Sequence, residues 1–153
     1  MPNTYQQIFI QIVFAVKGRE GLISERNRDE LQKFMTGIIH QRGQKTLAIY
    51  CMPDHVHVLV SINPSISISD LVRDVKAGSS KFINEKNWIR GIFRWQTGYG
   101  AFSYGREDTR YVINYILHQK EHHSKTTFRS EYLDLLKKNE VTYEERYLFE
   151  FVE

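Results

Sequence analysis

From Tyr5 to Val16 apolar and β-branched residues alternate, with Ile8, Ile10, Ile12 and Phe14 on one side, which predicts a strand at the centre of a sheet. After a turn at Lys17–Gly21 the period changes. Leu31, Phe34, Met35, Ile38 and Ile39 fall at i, i+3, i+4, i+7 and i+8, so a helix is expected from a Ser24 cap to Gly43. Thr46–Met52 and His55–Ile62 then read as a tight antiparallel hairpin around Pro53-Asp54, where proline fixes φ and aspartate bonds its own backbone. A second helix is expected from Asp70 to about Glu85, apolar at Leu71, Val72, Val75, Phe82 and Ile83. Phe93–Gln96 and Tyr99–Tyr104 read as short extended pieces. Glu107 and Asp108 suit the positive end of a helix running to about His123, and Ser130–Lys138 is a last helix before an extended aromatic tail, Tyr143–Phe151. This β-α-β-β-α-β order predicts an α+β fold. Its core is ferredoxin-like (RRM-like), a mainly antiparallel sheet with helices packed on it, plus a late helix.

At 153 residues the chain has the length of one domain, expected to span 1–153, and can bury a core without disulfides. An apolar fraction of 41% with 13% aromatic residues excludes a disordered chain, and no apolar run approaches the ~20 residues of a membrane span. A soluble protein is expected. Met1–Gln11 shows no export pattern. Cys51, the sole cysteine, cannot form an internal disulfide, fits a reducing cytoplasm and reads as a buried structural thiol. The net charge of +3 is unevenly spread: from Glu131 onward seven acids face three bases, leaving +7 on the rest. A basic body with an acidic tail is compatible with nucleic-acid binding.

Candidate chemistry begins in Met52–Val60. His55 and His57, two apart on a strand, leave the same face and can converge on one divalent cation, while Val56, Val58, Val60 and Ile62 bury the other. Alone, such a pair equally describes two hydrogen-bonded histidines on a half-buried sheet. The helix at Tyr111–Gln119 changes the balance. On a helical wheel Tyr111, Tyr115, His118, Gln119 and His122 share a sector of about 100°, so this face laid over the histidines brings a phenol and a carboxamide to them, with Gln119 a third ligand. His118, His122 and His123 read as solvated or DNA-facing imidazoles near a helix end.

Three segments, Met52–Val58, Trp95–Gly100 and Tyr115–Gln119, together resemble the single-tyrosine HUH transposases of the smallest bacterial and archaeal insertion sequences. The resemblance runs from Tyr5 to about Phe149. It implies a metal-dependent transposase that nicks and rejoins single-stranded DNA and recognises subterminal hairpins. His55 and His57 would be the HUH pair, Gln119 the third ligand of Mg²⁺ or Mn²⁺, and Tyr115, rather than Tyr111, the nucleophile that forms a 5′-phosphotyrosine. Two imidazoles and an amide are a neutral set, which implies weak metal affinity. The resemblance also implies a homodimer, often with the tyrosine helix of one subunit serving the histidines of the other. Arg73, Lys76, Lys81, Lys86, Arg90 and Arg94, interleaved with Phe82, Trp88, Phe93 and Trp95, are candidate DNA contacts, although each ring is more often core than stacking platform. Three other readings fit the same residues: a domesticated relative acting on repeated extragenic palindromes, a non-catalytic nucleic-acid-binding module, and a metal hydrolase that forms no covalent adduct.

Overall fold

A computed structural model describes residues 3–18 and 21–151. Strand β1 (Phe9–Ala15) is followed by α1 (Glu25–Gln41), β2 (Lys45–Cys51), β3 (His55–Ser61), α2 (Ile68–Lys86) and β4 (Gly100–Tyr104). Three short helices follow: α3 (Thr109–Leu117), α4 (Gln119–His122) and α5 (Phe128–Lys138). The strands form one antiparallel sheet in the order β2-β3-β1-β4, so β1 is an inner strand, as expected, and the topology is ferredoxin-like. The expected strand from Tyr5 begins only at Phe9, and the turn at Lys17–Gly21 includes Arg19 and Glu20, which lie outside the described residues.

Alternation along the strands sorts side chains to two faces. Ile12, Phe14 and Val58 meet Ile39, Leu71, Val72 and Val75, so α1 and α2 cover one side with an apolar layer. Cys51 is buried against Met35, and burial pushes its thiol up to about 12, as a structural cysteine requires. On the opposite side α3 packs Val112 and Ile116 against Ala48 and Leu59. His55 and His57 belong to this second side.

The Trp95–Gly100 segment is a structural joint. Trp95 bridges Val16 and donates its indole N–H to Ser79 Oγ at 2.9 Å. The Gln96 side chain pairs with both backbone groups of Glu150, at 2.7 Å each, and so ties down the aromatic tail. Gly98 has φ +90°, a conformation suited to glycine. At Gly100 a Cβ would meet the Tyr132 hydroxyl at 2.7 Å, so only a bare backbone lets α5 approach β4 this closely.

Two expected boundaries shift. Thr127, not Ser130, begins the last helix, and its side chain accepts from the Ser130 N–H at 3.1 Å. The expected helix to His123 breaks at His118, whose ring Nδ1–H donates to the Asn114 carbonyl at 2.7 Å. The break leaves His118 exposed and turns Gln119 fully inward.

Candidate active site

His55 and His57 stand side by side near the start of β3, almost inaccessible, with ring centroids 5.2 Å apart. Their outer nitrogens are already engaged. His55 Nδ1–H donates to Asp54 at 2.7 Å, and His57 Nδ1–H donates to Gln11 Oε1 at 2.8 Å. Gln11 is held in turn by donating its amide to the Tyr104 hydroxyl at 2.8 Å. These bonds fix both tautomers and aim both Nε2 lone pairs inward, the usual arrangement behind metal-binding imidazoles. Gln119 Oε1 lies 3.2 Å from His55 Nε2. The predicted pair and the predicted amide thus meet.

Two residues that the sequence reading left outside the site complete it. Glu131 from α5, counted above only as part of an acidic tail, is 4% exposed and places Oε1 2.9 Å from His57 Nε2. His123, expected to be solvated or DNA-facing, instead puts Nε2 3.0 Å from both Gln119 Oε1 and Glu131 Oε1, and its Nδ1–H donates to the Thr126 carbonyl. The donor atoms of His55, His57, His123 and Glu131 all lie within 4.8 Å of one another. A buried carboxylate thus stands among the imidazoles, beside the neutral ligands that the sequence reading expected. One signal pointed to it, since Glu131 falls on the apolar stripe of Phe128, Tyr132 and Leu135, where a charge is out of place.

Tyr115 meets this cluster from α3. Its hydroxyl donates to Glu131 Oε2, with His122 Nε2 at 3.1 Å, and its ring stands 6.1 Å from that of His57. Tyr111, one turn earlier, is 70% exposed, whereas Tyr115 touches the cluster. All of these groups belong to one chain. The exchange of the tyrosine helix between subunits, implied by the resemblance, is not needed to assemble the site.

Electrostatics follow the geometry. Burial works to raise Glu131, but the charge and hydrogen bonds of His57 and His123 hold its carboxyl far below the usual range. Burial keeps His55 below its ordinary value and hence neutral, whereas for His123 burial is outweighed by the bond and charge of Glu131 together with the Thr126 carbonyl and Asp54, which raise it. Burial and the neighbouring carboxylate push the Tyr115 phenol well above its ordinary value. A cation among the inward nitrogens would oppose that carboxylate's field, and the residues fit one: imidazole nitrogens with fixed tautomers, an amide oxygen and a carboxylate, which are ordinary ligands of divalent metals.

Clefts open on both sides of the cluster. One, of about 720 Å³, is lined by Tyr104, Tyr111, Tyr115, His122 and Asp134. The other, of about 670 Å³, runs past Asp54, His55, His123, Lys125 and Phe128.

The predicted cationic residues are not brought to this site. They belong to α2 and the segment after it, which covers the other side of the sheet. Arg73 pairs with Asp70 and Asp74, Lys81 lies 3.9 Å from Glu85, and Lys86 lies 3.5 Å from Glu30; Arg90 and Arg94 are exposed. Lys76 is turned onto the protein's own backbone. Its ammonium donates to the Gln96 and Gly98 carbonyls, and burial pushes it down to about 8. Phe93 is core, while Trp88 and Trp95 pack against it.

Residues 4–119 match the family described as IS200-like transposases. The chain belongs to that family. The ISDra2 transposase TnpA of Deinococcus radiodurans is 27% identical over 124 residues, covering 75% of this transposase and 87% of its relative. The transposase for insertion sequence element IS200 of Salmonella typhimurium is 29% identical over 115 residues, covering 72% and 75% of the two chains. Two solved structures share the fold at a TM-score of 0.61. One is a transposase from Deinococcus radiodurans R1, 22% identical and covering 76% of this chain and 94% of its own. The other is a REP-associated tyrosine transposase bound to a REP hairpin, 14% identical and covering 94% and 93%. Family membership assigns this protein a DNA transposase activity. Among the described residues no helix is long and apolar enough to cross a membrane.

Proposed function

We propose that this transposase nicks and rejoins single-stranded DNA at insertion-sequence ends, with Tyr115 as nucleophile and a divalent ion, Mg²⁺ or Mn²⁺, held by His55, His57 and Gln119. The observation that carries the reading is that the Tyr115 hydroxyl reaches Glu131 Oε2 while the other oxygen of that carboxylate touches His57, so phenol and imidazoles share one small volume. When bound, the ion polarises the scissile phosphate and offsets charge that develops on it. Tyr115 Oη attacks phosphorus, the bond to the 3′ oxygen breaks, and the phosphate remains on the tyrosine as a 5′-phosphotyrosine that the freed 3′-hydroxyl can later attack. Glu131 Oε2 and His122 Nε2 are the acceptors within reach of the phenolic proton. His122 suits that task, because burial keeps its imidazole below its ordinary value and so neutral.

The clefts on either side of the cluster offer a path for an unpaired strand. The exposed heads of Arg73, Lys81, Lys86, Arg90 and Arg94 form a separate cationic surface for hairpin DNA. A homodimer is retained from the resemblance with each subunit's site built in cis, and a reducing, cytoplasmic setting suits the buried Cys51 thiol. The test is incubation of the protein with single-stranded element ends and Mn²⁺, followed by denaturing electrophoresis. A covalent protein–DNA band that disappears in Tyr115→Phe is expected; a band that survives the substitution rejects the mechanism.

A second reading is a domesticated relative acting on repeated extragenic palindromes. The REP-associated transposase aligns with 94% of this chain, whereas the family match stops at residue 119, so α5 and the tail have counterparts in that fold. Competition between REP-type hairpins and insertion-sequence ends for binding decides between the two. Tighter retention of the former favours this second role.

A further inference from the structure

Glu131 occupies the point where the metal ligands and the nucleophile meet. Oε1 lies 2.9 Å from His57 Nε2, 3.0 Å from His123 Nε2 and 3.6 Å from His55 Nε2, while Oε2 accepts from the Tyr115 hydroxyl and, at 2.9 Å, from the Gln119 amide. Each of the three imidazoles has its Nδ1–H committed, to Asp54, Gln11 and Thr126 respectively. Rings so oriented turn three Nε2 atoms toward Glu131 Oε1 and Gln119 Oε1. Five atoms of metal-ligating type converge there, and a buried carboxylate is stable in such company when a cation sits among them.

The approach of Glu131 is enforced from both sides along α5. Phe128, three residues earlier, stacks flat on His55 at 3.9 Å, and Tyr132, the next residue, fills the space left by Gly100. Thr127 caps the helix.

We propose that Glu131 ligates the same metal through Oε1 and tethers Tyr115 to it through Oε2, and that three imidazoles with one carboxylate make the site favour Mn²⁺ over Mg²⁺. The proposal rests on the metal-dependent reading above and adds two ligands, His123 and Glu131, and an ion preference to it. Mg²⁺ holds its waters and favours oxygen donors in strict octahedral geometry, whereas imidazole nitrogen binds first-row transition metals more strongly. A carboxylate with one oxygen on the metal and the other on the phenol also fixes the distance between Lewis acid and nucleophile, which an amide ligand alone does not do.

The test is calorimetric titration of the full chain with Mn²⁺ and Mg²⁺, alongside Glu131→Gln and Tyr115→Phe, with circular dichroism confirming the fold. The wild type is expected to bind Mn²⁺ at least about tenfold more tightly than Mg²⁺. Glu131→Gln should weaken Mn²⁺ by about tenfold or more and narrow the gap between the ions, while Tyr115→Phe leaves Mn²⁺ affinity within about threefold. At saturating Mn²⁺, adduct formation by Glu131→Gln should remain slower by about tenfold because the phenol is no longer anchored. If Glu131→Gln does not fold, Glu131→Asp, which keeps the charge on a shorter arm, must lose Mn²⁺ affinity in its place. Unchanged Mn²⁺ affinity in the Glu131 variants, equal affinity of the wild type for both ions, or full recovery of adduct formation by Glu131→Gln at saturating metal overturns the proposal. Absence of any metal binding by the wild type overturns the metal-dependent reading itself.

Discussion

Beneath α1 and α2, Ile12, Phe14, Val56, Val58 and Val60 meet Leu31, Met35, Ile39, Leu71 and Val75, while across the same strands Gln11, His55 and His57 meet Gln119 and Glu131. Both layers are closed to water. The first gains from that closure through the hydrophobic effect, whereas the second must overcome the cost of stripping solvent from polar groups. One strand, β3, feeds both by simple alternation. The lesson is that burial on the two faces has opposite thermodynamic meaning: one face supplies stability, and the other holds polar groups at a cost.

The largest expected effect lies on the polar face. Tyr115→Phe should abolish adduct formation, a loss of about 10³-fold or more, yet leave thermal stability nearly unchanged. A large drop in melting temperature would show that the phenol is also structural and blur the distinction. Leu31→Ala, fully buried beneath the sheet, should cost about 2–5 kcal/mol in urea unfolding while the folded fraction binds metal normally. Gln11→Leu removes the acceptor behind His57, together with the amide donor to the Tyr104 hydroxyl, and should weaken Mn²⁺ binding by about 10–100-fold with a smaller change in stability than Leu31→Ala. If Gln11→Leu destabilises the fold as much as Leu31→Ala, the contrast between faces fails.

Acid gives a subtler measure. Glu131 remains ionised in the folded protein well below the usual carboxylate range, whereas the unfolded chain takes up its proton near the ordinary value of about 4.3. The unfolded state then binds more protons, so this stabilisation is present above that value and is lost as pH falls, by about 2 kcal/mol at pH 3. Urea midpoints that do not change between pH 5 and pH 3 would contradict it. Smallest of all, Thr127→Ala should cost about 1 kcal/mol by removing the cap of α5.

Much of this was legible in the chain because it depends on short-range periodicity. His-Val-His-Val-Leu-Val alternates strictly, so the partition of β3 follows from its own residues, and Tyr115 with Gln119 at i+4 placed the phenol near the amide. The interruption at His118 was not legible. No glycine or proline marks it, and the imidazole itself captures the Asn114 carbonyl. Glu131 escaped because charge counting treats it as one of seven acids, when its place between Phe128 and Tyr132 is what matters. Lys76 looked like an exposed cation on a polar helix face. Its carbonyl partners lie 20 and 22 residues away, beyond the reach of local pattern.

The two hydrogen bonds between Gln96 and Glu150 act as a buckle on a strap. Phe149, one residue inward, lies 4.8 Å from the Tyr132 ring and 6.1 Å from that of Phe128, which in turn stacks on the His55 imidazole. Undoing the buckle with Gln96→Ala would therefore slacken a belt of rings and let the floor beneath the histidines drift, although position 96 touches none of them.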